Sequence, residues 1–454
     1  MQPFVIISIV LSGIALAEAP DVSNGIRKHW NYNRSAVAEI CGPKTARVTC
    51  INRYGSLLPG SFFRNPDPFT AYTGTVISED PSWPLVQQAD FVLFDRRRGL
   101  RLLGPSPRIR RSIVPLLNVI HEAPVFVYVI PPIRYLKPEL NKLFVAQAGP
   151  PGNLSSLVFD LNLNPPAVSA FTTDPPIYQP NGGIYNAKDG MVYWAVHGNN
   201  ASLPNGLHQR PGIARFNPRT LKAEWLLNSY NGFSFAGPND LTIAPDGDIW
   251  FTDTDYGYVL GVSESPKQLH LATYRFRPST GEVQVMDTSL EYPNGIAFSR
   301  DGRTLYIGDS GLEHYSPIPT RGPNDFYNYP INIEFNSTEA RNVFAWDVTR
   351  VNQGPSRRLI IGRKRNIWQS LEGAPDGLKI AANGYLVVAA GLSPGVDILD
   401  EFGSQIARIQ TNHAVENIQW SGRDLKTLWL VGIGGITKVQ FDLAGPDLHR
   451  YYIH

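Results

Sequence analysis

A short module recurs along the chain and limits its fold more than any other feature. It consists of a Pro-Asn-Gly-like corner, an alternating strand, an Asp-Gly or Asn-Gly turn and a second strand. Three copies are plain: GPNDLTIAPDGDIWFTD at 237–253, YPNGIAFSRDGRTLYIGDS at 292–310 and APDGLKIAANGYLVVAA at 374–390. QPNGGIYNAKDGMVYWAVHG at 179–198 matches with one adjustment, and looser copies at 121–147 and 415–432 flank the set. Each turn is the signal of a two-residue hairpin between alternating strands. Further strand pairs follow, such as ATYRFRPSTGEVQVMD and GVDILDEFGSQIARIQ, so the unit holds about four strands.

The corner residues are Glu122, Asn181, Asn239, Asn294, Asp376 and Asn417. They lie roughly 40–60 residues apart, except for about 80 between Asn294 and Asp376. A four-stranded unit at this period predicts an all-β, six-bladed β-propeller. Two tandem sandwiches are the competing architecture, but they do not predict matched corners. The long spacing marks an insertion at 311–345, rich in Pro, Asn and Tyr, expected as a loop over one face. The last repeat is one outer strand short, and residues 89–104 are expected to supply it and close the ring.

Composition agrees. The chain has 454 residues, with 40 Gly, 38 Pro and 50 aromatics in the form of 9 Trp, 20 Tyr and 21 Phe, which suits many short strands joined by turns. Lys and Arg number 41 against 39 Asp and Glu, so the net charge of +2 points to neither nucleic acid nor an acidic membrane surface. Residues 4–17 are uncharged and end in Ala15-Leu16-Ala17. A signal peptide at 1–17 and secretion are therefore expected. Beyond it, no apolar run is long enough to span a bilayer. Residues 18–88 are expected as an irregular N-terminal extension and residues 89–454 as the propeller. The only cysteines, Cys41 and Cys50, are expected to form a disulfide in an oxidising compartment. Sequons at Asn33, Asn153, Asn200 and Asn336 fit a secreted glycoprotein.

In a propeller the first strand of every blade lines the central channel, so equivalent corner residues converge on one ring. That ring would hold two carboxylates, Glu122 and Asp376, and four carboxamides, with no Cys or His among them. Oxygen donors of this kind suit Ca²⁺, whereas Zn²⁺ favours nitrogen and sulfur. The alternative is that the Asn and Asp residues serve only as turn formers, although a turn does not need Glu122. His121, His197, Asp309 and Asp255 are further candidates for the pocket, and Trp250 and Tyr256 are expected mainly to pack. No Gly-x-Ser-x-Gly elbow is present, which disfavours a serine esterase.

GPNDLTIAPDGDIWFTDTDYG, YPNGIAFSRDGRTLYIGDSG and APDGLKIAANGYLVV resemble the senescence-marker-protein/gluconolactonase/luciferin-regenerating-enzyme-like family, and within it the secreted fungal lactonohydrolases. The resemblance covers about residues 90–445. It implies a six-bladed propeller with one divalent cation, usually Ca²⁺, on its axis and hydrolysis of a small-molecule lactone. It assigns the metal ligands to Glu122, Asn239, Asn294 and Asp376; Asn181 and Asn417 are further pocket candidates that could face the cation through water. Glu122-Ala123-Pro124 departs from the family's Glu-Gly-Pro. The expected mechanism has the cation polarise the lactone carbonyl while a carboxylate, best Asp376, activates water. An aryl- or phosphotriesterase, a lyase-type condensation and a noncatalytic binding propeller are the other readings of the same scaffold.

Overall fold

The computed structural model describes residues 37–51, 82–111, 120–129, 140–147, 154–199, 208–263, 267–317, 331–336, 338–353 and 356–447. The expected leader at 1–17 and the sequon asparagines Asn33, Asn153 and Asn200 lie outside the described residues. Asn336 is described and exposed, and its Oδ1 accepts a 2.6 Å hydrogen bond from Thr338 Oγ1.

The fold is an all-β propeller. Five of its sheets are four-stranded blades, not the expected six, and the remaining sector is a wider, seven-stranded sheet. The first four blades start with the inner strands Val125–Val129, Pro180–Asn186, Pro238–Ile243 and Pro293–Phe298. In each, the chain then meanders outward through antiparallel neighbours. The wide sheet starts at Leu378–Ile380 and the last blade at Asn417–Ser421. Each inner strand contacts the next around the axis, and Asn417–Ser421 returns to Val125–Val129.

The N-terminal region closes the ring at two places. Arg108–Arg110 pairs antiparallel with Gly435–Gln440 as the outer strand of the last blade. Residues 89–104 do not play that part. Phe91–Leu93 instead pairs with Gln405–Val415 on the wide sheet, and Arg96–Leu103 is a helix capped by Asp95 Oδ1, which accepts from Arg98 N–H at 2.8 Å. The N-terminal extension is also more regular than expected where it is described. Val48–Ile51 adds in parallel to Phe91–Leu93, and Ala38–Ile40 covers the outer edge. The Cys41–Cys50 disulfide is formed and ties this edge together. The insertion after Asp309 is not a plain loop, because Glu313–Pro317 pairs with Ile331–Phe335 as a hairpin.

Alternation in the strands puts Val, Ile, Leu and aromatic side chains between adjacent sheets, where Trp194, Trp250 and Trp429 are fully buried. Trp250 packs edge-on against Phe298 of the next blade, so its role is packing. A buried ion cluster fixes the entry to the Asp376 corner: Arg408 Nη1 meets Asp397 Oδ2 at 2.5 Å, and Nη2 meets Glu372 and the Pro394 carbonyl. Breaking such a cluster by removing one partner typically costs about 3–5 kcal/mol.

Next to this corner the blades meet backbone to backbone. A Cβ on Gly295 would lie 2.2 Å from the Asp376 carbonyl oxygen and 2.7 Å from Leu378 N, so only glycine lets the fourth blade approach the wide sheet. Gly295→Ala is expected to lower stability by about 1–3 kcal/mol, read as a lower urea midpoint at unchanged slope. An unchanged midpoint would contradict this approach.

Candidate functional site

The corners converge because each inner strand begins the same way. Pro180, Pro238 and Pro293 stand opposite Val196, Asp253 and Asp309, and the ladder shifts register immediately afterwards. Such bulges re-aim side chains next to functional sites. Here they accompany the turn of Asn181, Asn239 and Asn294 into the channel, where all three are buried. Asp253 and Asp309 hold the corner loops in place. Asp253 accepts hydrogen bonds from Ala236 and Gly237 N–H at 3.1 and 2.8 Å, and Asp309 accepts from Glu291 and Tyr292 N–H at 3.1 and 2.9 Å. Asp309, a pocket candidate from sequence, is therefore a corner anchor.

The six ring residues divide into two kinds. Asn417 Nδ2 donates to Glu122 Oε2 at 2.8 Å, and its Oδ1 accepts from Ile418 N–H at 2.8 Å. Asn181 Oδ1 is 2.9 Å from His121 Nε2, and its Nδ2 donates to the Asn239 carbonyl. Both carboxamides are committed to the protein. By contrast, Asn239 Oδ1, Asn294 Oδ1 and Asp376 Oδ1 are buried and accept no hydrogen bond from any described group. Asn294 keeps its orientation because its Nδ2 donates to Ser310 Oγ at 3.1 Å, and Ser310 donates to the Pro375 carbonyl at 2.8 Å.

Burial pushes the carboxyls of Glu122 and Asp376 well above the ordinary range. The Asp376 charge adds to this at Glu122, and Glu416 and Glu313 add to it at Asp376. Three unpartnered hard oxygens beside a crowded pair of carboxylates fit a divalent cation, which would satisfy the oxygens and relieve the repulsion. Glu122, Asn239, Asn294 and Asp376 are the residues able to hold it. Among the described residues no group of three or more His, Cys, Asp or Glu forms a metal cluster, as expected of a set that is half carboxamide.

Glu122 enters from an unusual backbone. Ala123 has φ +52, the left-handed region that favours glycine, which explains the physical cost of the Glu-Ala-Pro departure. His121 bridges three blades: its Nδ1 lies 2.8 Å from Glu416 Oε2 and its Nε2 faces Asn181. Burial lowers its pKa, but Glu416 and the hydrogen bonds outweigh this and raise it overall. His197 is fully buried, and burial together with nearby His121 lowers its pKa to about 3. Tyr256 O–H donates to Glu313 Oε2 at 3.4 Å and so joins the rim, and Asp255 pairs with Lys267 at 3.4 Å.

Sequence reasoning missed Glu416, Glu313 and Asp240. Glu416 occupies the position just before a corner, as His121 does, and that equivalence was the available signal. Asp240 stands where the repeat usually has Gly after Asn; it is buried, and its Oδ2 lies 3.5 Å from Lys379 Nζ across the channel. The hairpin ends of the strands surround a separate cavity of about 220 Å³, lined by Phe126, Leu241, Ile296, Phe298, Trp420 and Lys379 among others. No sequence-predicted site residue lines it.

Fold and site together define a β-propeller with an oxygen-rich cluster on its axis. The chain belongs to the SMP-30/gluconolactonase/LRE-like family, whose model matches residues 176–433. It is 37% identical to lactonohydrolase oryL of Aspergillus oryzae over 414 residues, covering 90% of this chain and 88% of that protein. It is 30% identical to lactonohydrolase oryH of the same organism, covering 97% of this chain and 99% of that protein. Among solved structures, a gluconolactonase from Xanthomonas campestris superposes with a TM-score of 0.56 at 21% identity, covering 77% of this chain and 94% of that one.

The corner anchors generate a pH signature. Burial pushes Asp253 up to about 7 against the lowering effect of its two N–H donors. Between pH ~4 and ~7 the folded chain then holds a proton that the unfolded chain has released, so stability falls as pH rises, by at most about 1.4 kcal/mol per pH unit. Asp253→Asn removes this contribution. The stability gap between wild type and variant is expected to narrow between pH 4.5 and 7 in urea titrations, and a constant gap would contradict the raised pKa.

Proposed function

We propose that this chain is a secreted, metal-dependent lactonase that opens a lactone ring to the hydroxy acid. The observation that carries the reading is the trio of unpartnered buried oxygens on Asn239, Asn294 and Asp376, set beside Glu122. The two fungal relatives named as lactonohydrolases support the reaction class. The apolar leader, the disulfide and the sequons support secretion. The wide sheet is proposed to act as the sixth blade of the ring, the 89–454 domain being joined on that sheet by Ala38–Ile40 and Val48–Ile51.

A divalent cation, most simply Ca²⁺, would supply Lewis acidity toward the lactone carbonyl and its oxyanion. The chain's residues do the rest. Asn239 and Asn294 offer neutral oxygens that do not compete for protons. Asn417 holds Glu122 through Oε2. Asp376 stands at the ring with its Oδ1 unpartnered among the described groups. It takes the proton of the attacking water as the new carbon–oxygen bond forms. The ring carbon–oxygen bond then breaks, and Asp376 returns the proton to the leaving alkoxide.

Asp376→Asn keeps an oxygen at the axis but removes the base. Turnover of a small lactone panel is expected to fall by about 10²–10⁴-fold, with metal content falling far less. Asn239→Ala and Asn294→Ala are expected to lose bound metal first. Near-normal turnover in metal-loaded Asp376→Asn would remove Asp376 as the base.

A further inference from the structure

The axial channel has a second end. The cavity of about 220 Å³ at the hairpin ends takes lining residues from all six inner strands: Phe126, Ile184, Leu241, Ile296, Lys379 and Trp420 each come from a different one. Each stands two to four residues beyond its corner residue, which is roughly 7–13 Å further along the strand. The cavity therefore sits on the propeller axis below the ring, and none of the six ring residues lines it. Arg300 and Asp301, in the hairpin turn of the fourth blade, also line it and are exposed, so the chamber opens to solvent on the face opposite the corners.

The wall of this chamber is divided. The first four blades supply an apolar surface that includes Phe126, Ile184, Leu241, Ile243, Ile296 and Phe298. The adjoining inner strands Leu378–Ile380 and Asn417–Ser421 supply Lys379, Gln419 and Trp420, which all carry N–H donors. Two of these are not used up by the protein. The Trp420 indole N–H is buried and has no hydrogen-bond partner among the described residues. Lys379 Nζ makes one ion pair among them, with Asp240 at 3.5 Å, whereas an ammonium group has three N–H bonds to give. Charge sets the sign of a ligand. Lys379, Arg300 and Arg350 line the chamber with a single carboxylate, Asp301, which already accepts from Ser299 Oγ at 2.7 Å and Arg303 N–H at 3.1 Å. With Asp240 set against Lys379 and Asp301 against one arginine, a single positive charge is left over.

We propose that the hairpin end of the channel is a second small-molecule site, which takes a medium-chain monocarboxylate. Its carboxylate accepts from the Trp420 indole N–H and from Lys379, and its hydrocarbon chain lies against the apolar wall of the first four blades. An apolar wall with a few convergent polar groups is the usual make-up of a small-molecule pocket. The volume holds roughly seven water-sized groups, which matches a chain of about six to eight carbons. Solvent reaches the chamber, so the chain gains by drying its wall. A neutral alcohol of the same length dries the wall equally well but brings no charge to Lys379. A polyol loses its hydration against the apolar wall, and a cation meets the surplus positive charge. The site lies apart from the ring, does not depend on the reaction there, and needs no metal ion.

The test is calorimetric titration of chelator-treated full-length protein with butanoate, hexanoate, octanoate and dodecanoate, and with 1-octanol as the uncharged control. One octanoate per chain is expected. Affinity should rise about four-fold per added methylene up to octanoate and level off by dodecanoate, once the chamber is full. Octanoate is expected to bind about ten-fold more tightly than octanol, through its charge-assisted hydrogen bonds. Lys379→Met and Trp420→Phe should each remove most of that preference while octanol still binds. If Lys379→Met fails to fold, Trp420→Phe carries the measurement, since it keeps an aromatic ring and deletes only an unpartnered N–H. No octanoate binding, equal affinity for octanoate and octanol in wild type, an unbroken climb to dodecanoate, or a preference that survives in the variants overturns the site. Repeating the octanoate titration on Ca²⁺-loaded protein separates the chamber from the ring. An unchanged affinity upholds the chamber, and octanoate that binds only with Ca²⁺ present is held at the ring, which overturns it.

Discussion

Glu122 and Asp376 are brought together where water is scarce, and much of the architecture around the channel serves that conflict. Like charges about 4 Å apart repel by about 4 kcal/mol at an effective dielectric of 20. Burial raises both carboxyls' pKa values, with the Asp376 charge adding at Glu122 and the Glu416 and Glu313 charges adding at Asp376. The fold keeps them in place from outside. Asn417 grips Glu122, the Glu372–Arg408–Asp397 cluster anchors the chain entering Asp376, and the glycine at 295 lets that corner press against the fourth blade. An ensemble held so firmly against its own repulsion is what a cation-binding site requires before the cation arrives.

Hydrogen bonding separates the proposed ligands from the supports more sharply than residue type does. Six corner residues look alike in sequence, yet Asn181 and Asn417 spend their oxygens on the protein, whereas Asn239, Asn294 and Asp376 keep one free. Ser310 makes the difference for Asn294 by occupying its amide nitrogen and leaving the oxygen bare. The two supports are not idle. Through His121, Asn181 connects the second blade to Glu416 of the last, so the ring is braced across its own closure.

The propeller and the ring were legible in the sequence because a blade repeat places equivalent residues at one height. The corner motifs therefore carried the propeller and the convergence of its corner residues. The ring closure was misread: residues 89–104 are apolar enough to be a strand, but Asp95 caps a helix at Arg96–Leu103, and the closing strand is the charged Arg108–Arg110. An outer strand buries little, so its sequence announces little. The same limit hid Glu416 and Glu313, whose roles come from neighbours that are distant in the chain. Ala123 shows the reverse case. Its left-handed backbone explains why a glycine would be expected there, and the alanine keeps the geometry at some cost in strain.

The central claim is that the axial oxygens form one cation site on which lactone hydrolysis depends. It is tested most directly by titrating Ca²⁺ into chelator-treated full-length protein while following bound metal and hydrolysis of a small lactone in the same samples. The account predicts one tightly bound ion per chain, with turnover rising in proportion to occupancy. Full turnover in metal-free protein, or turnover that does not follow occupancy of a single site, would contradict it.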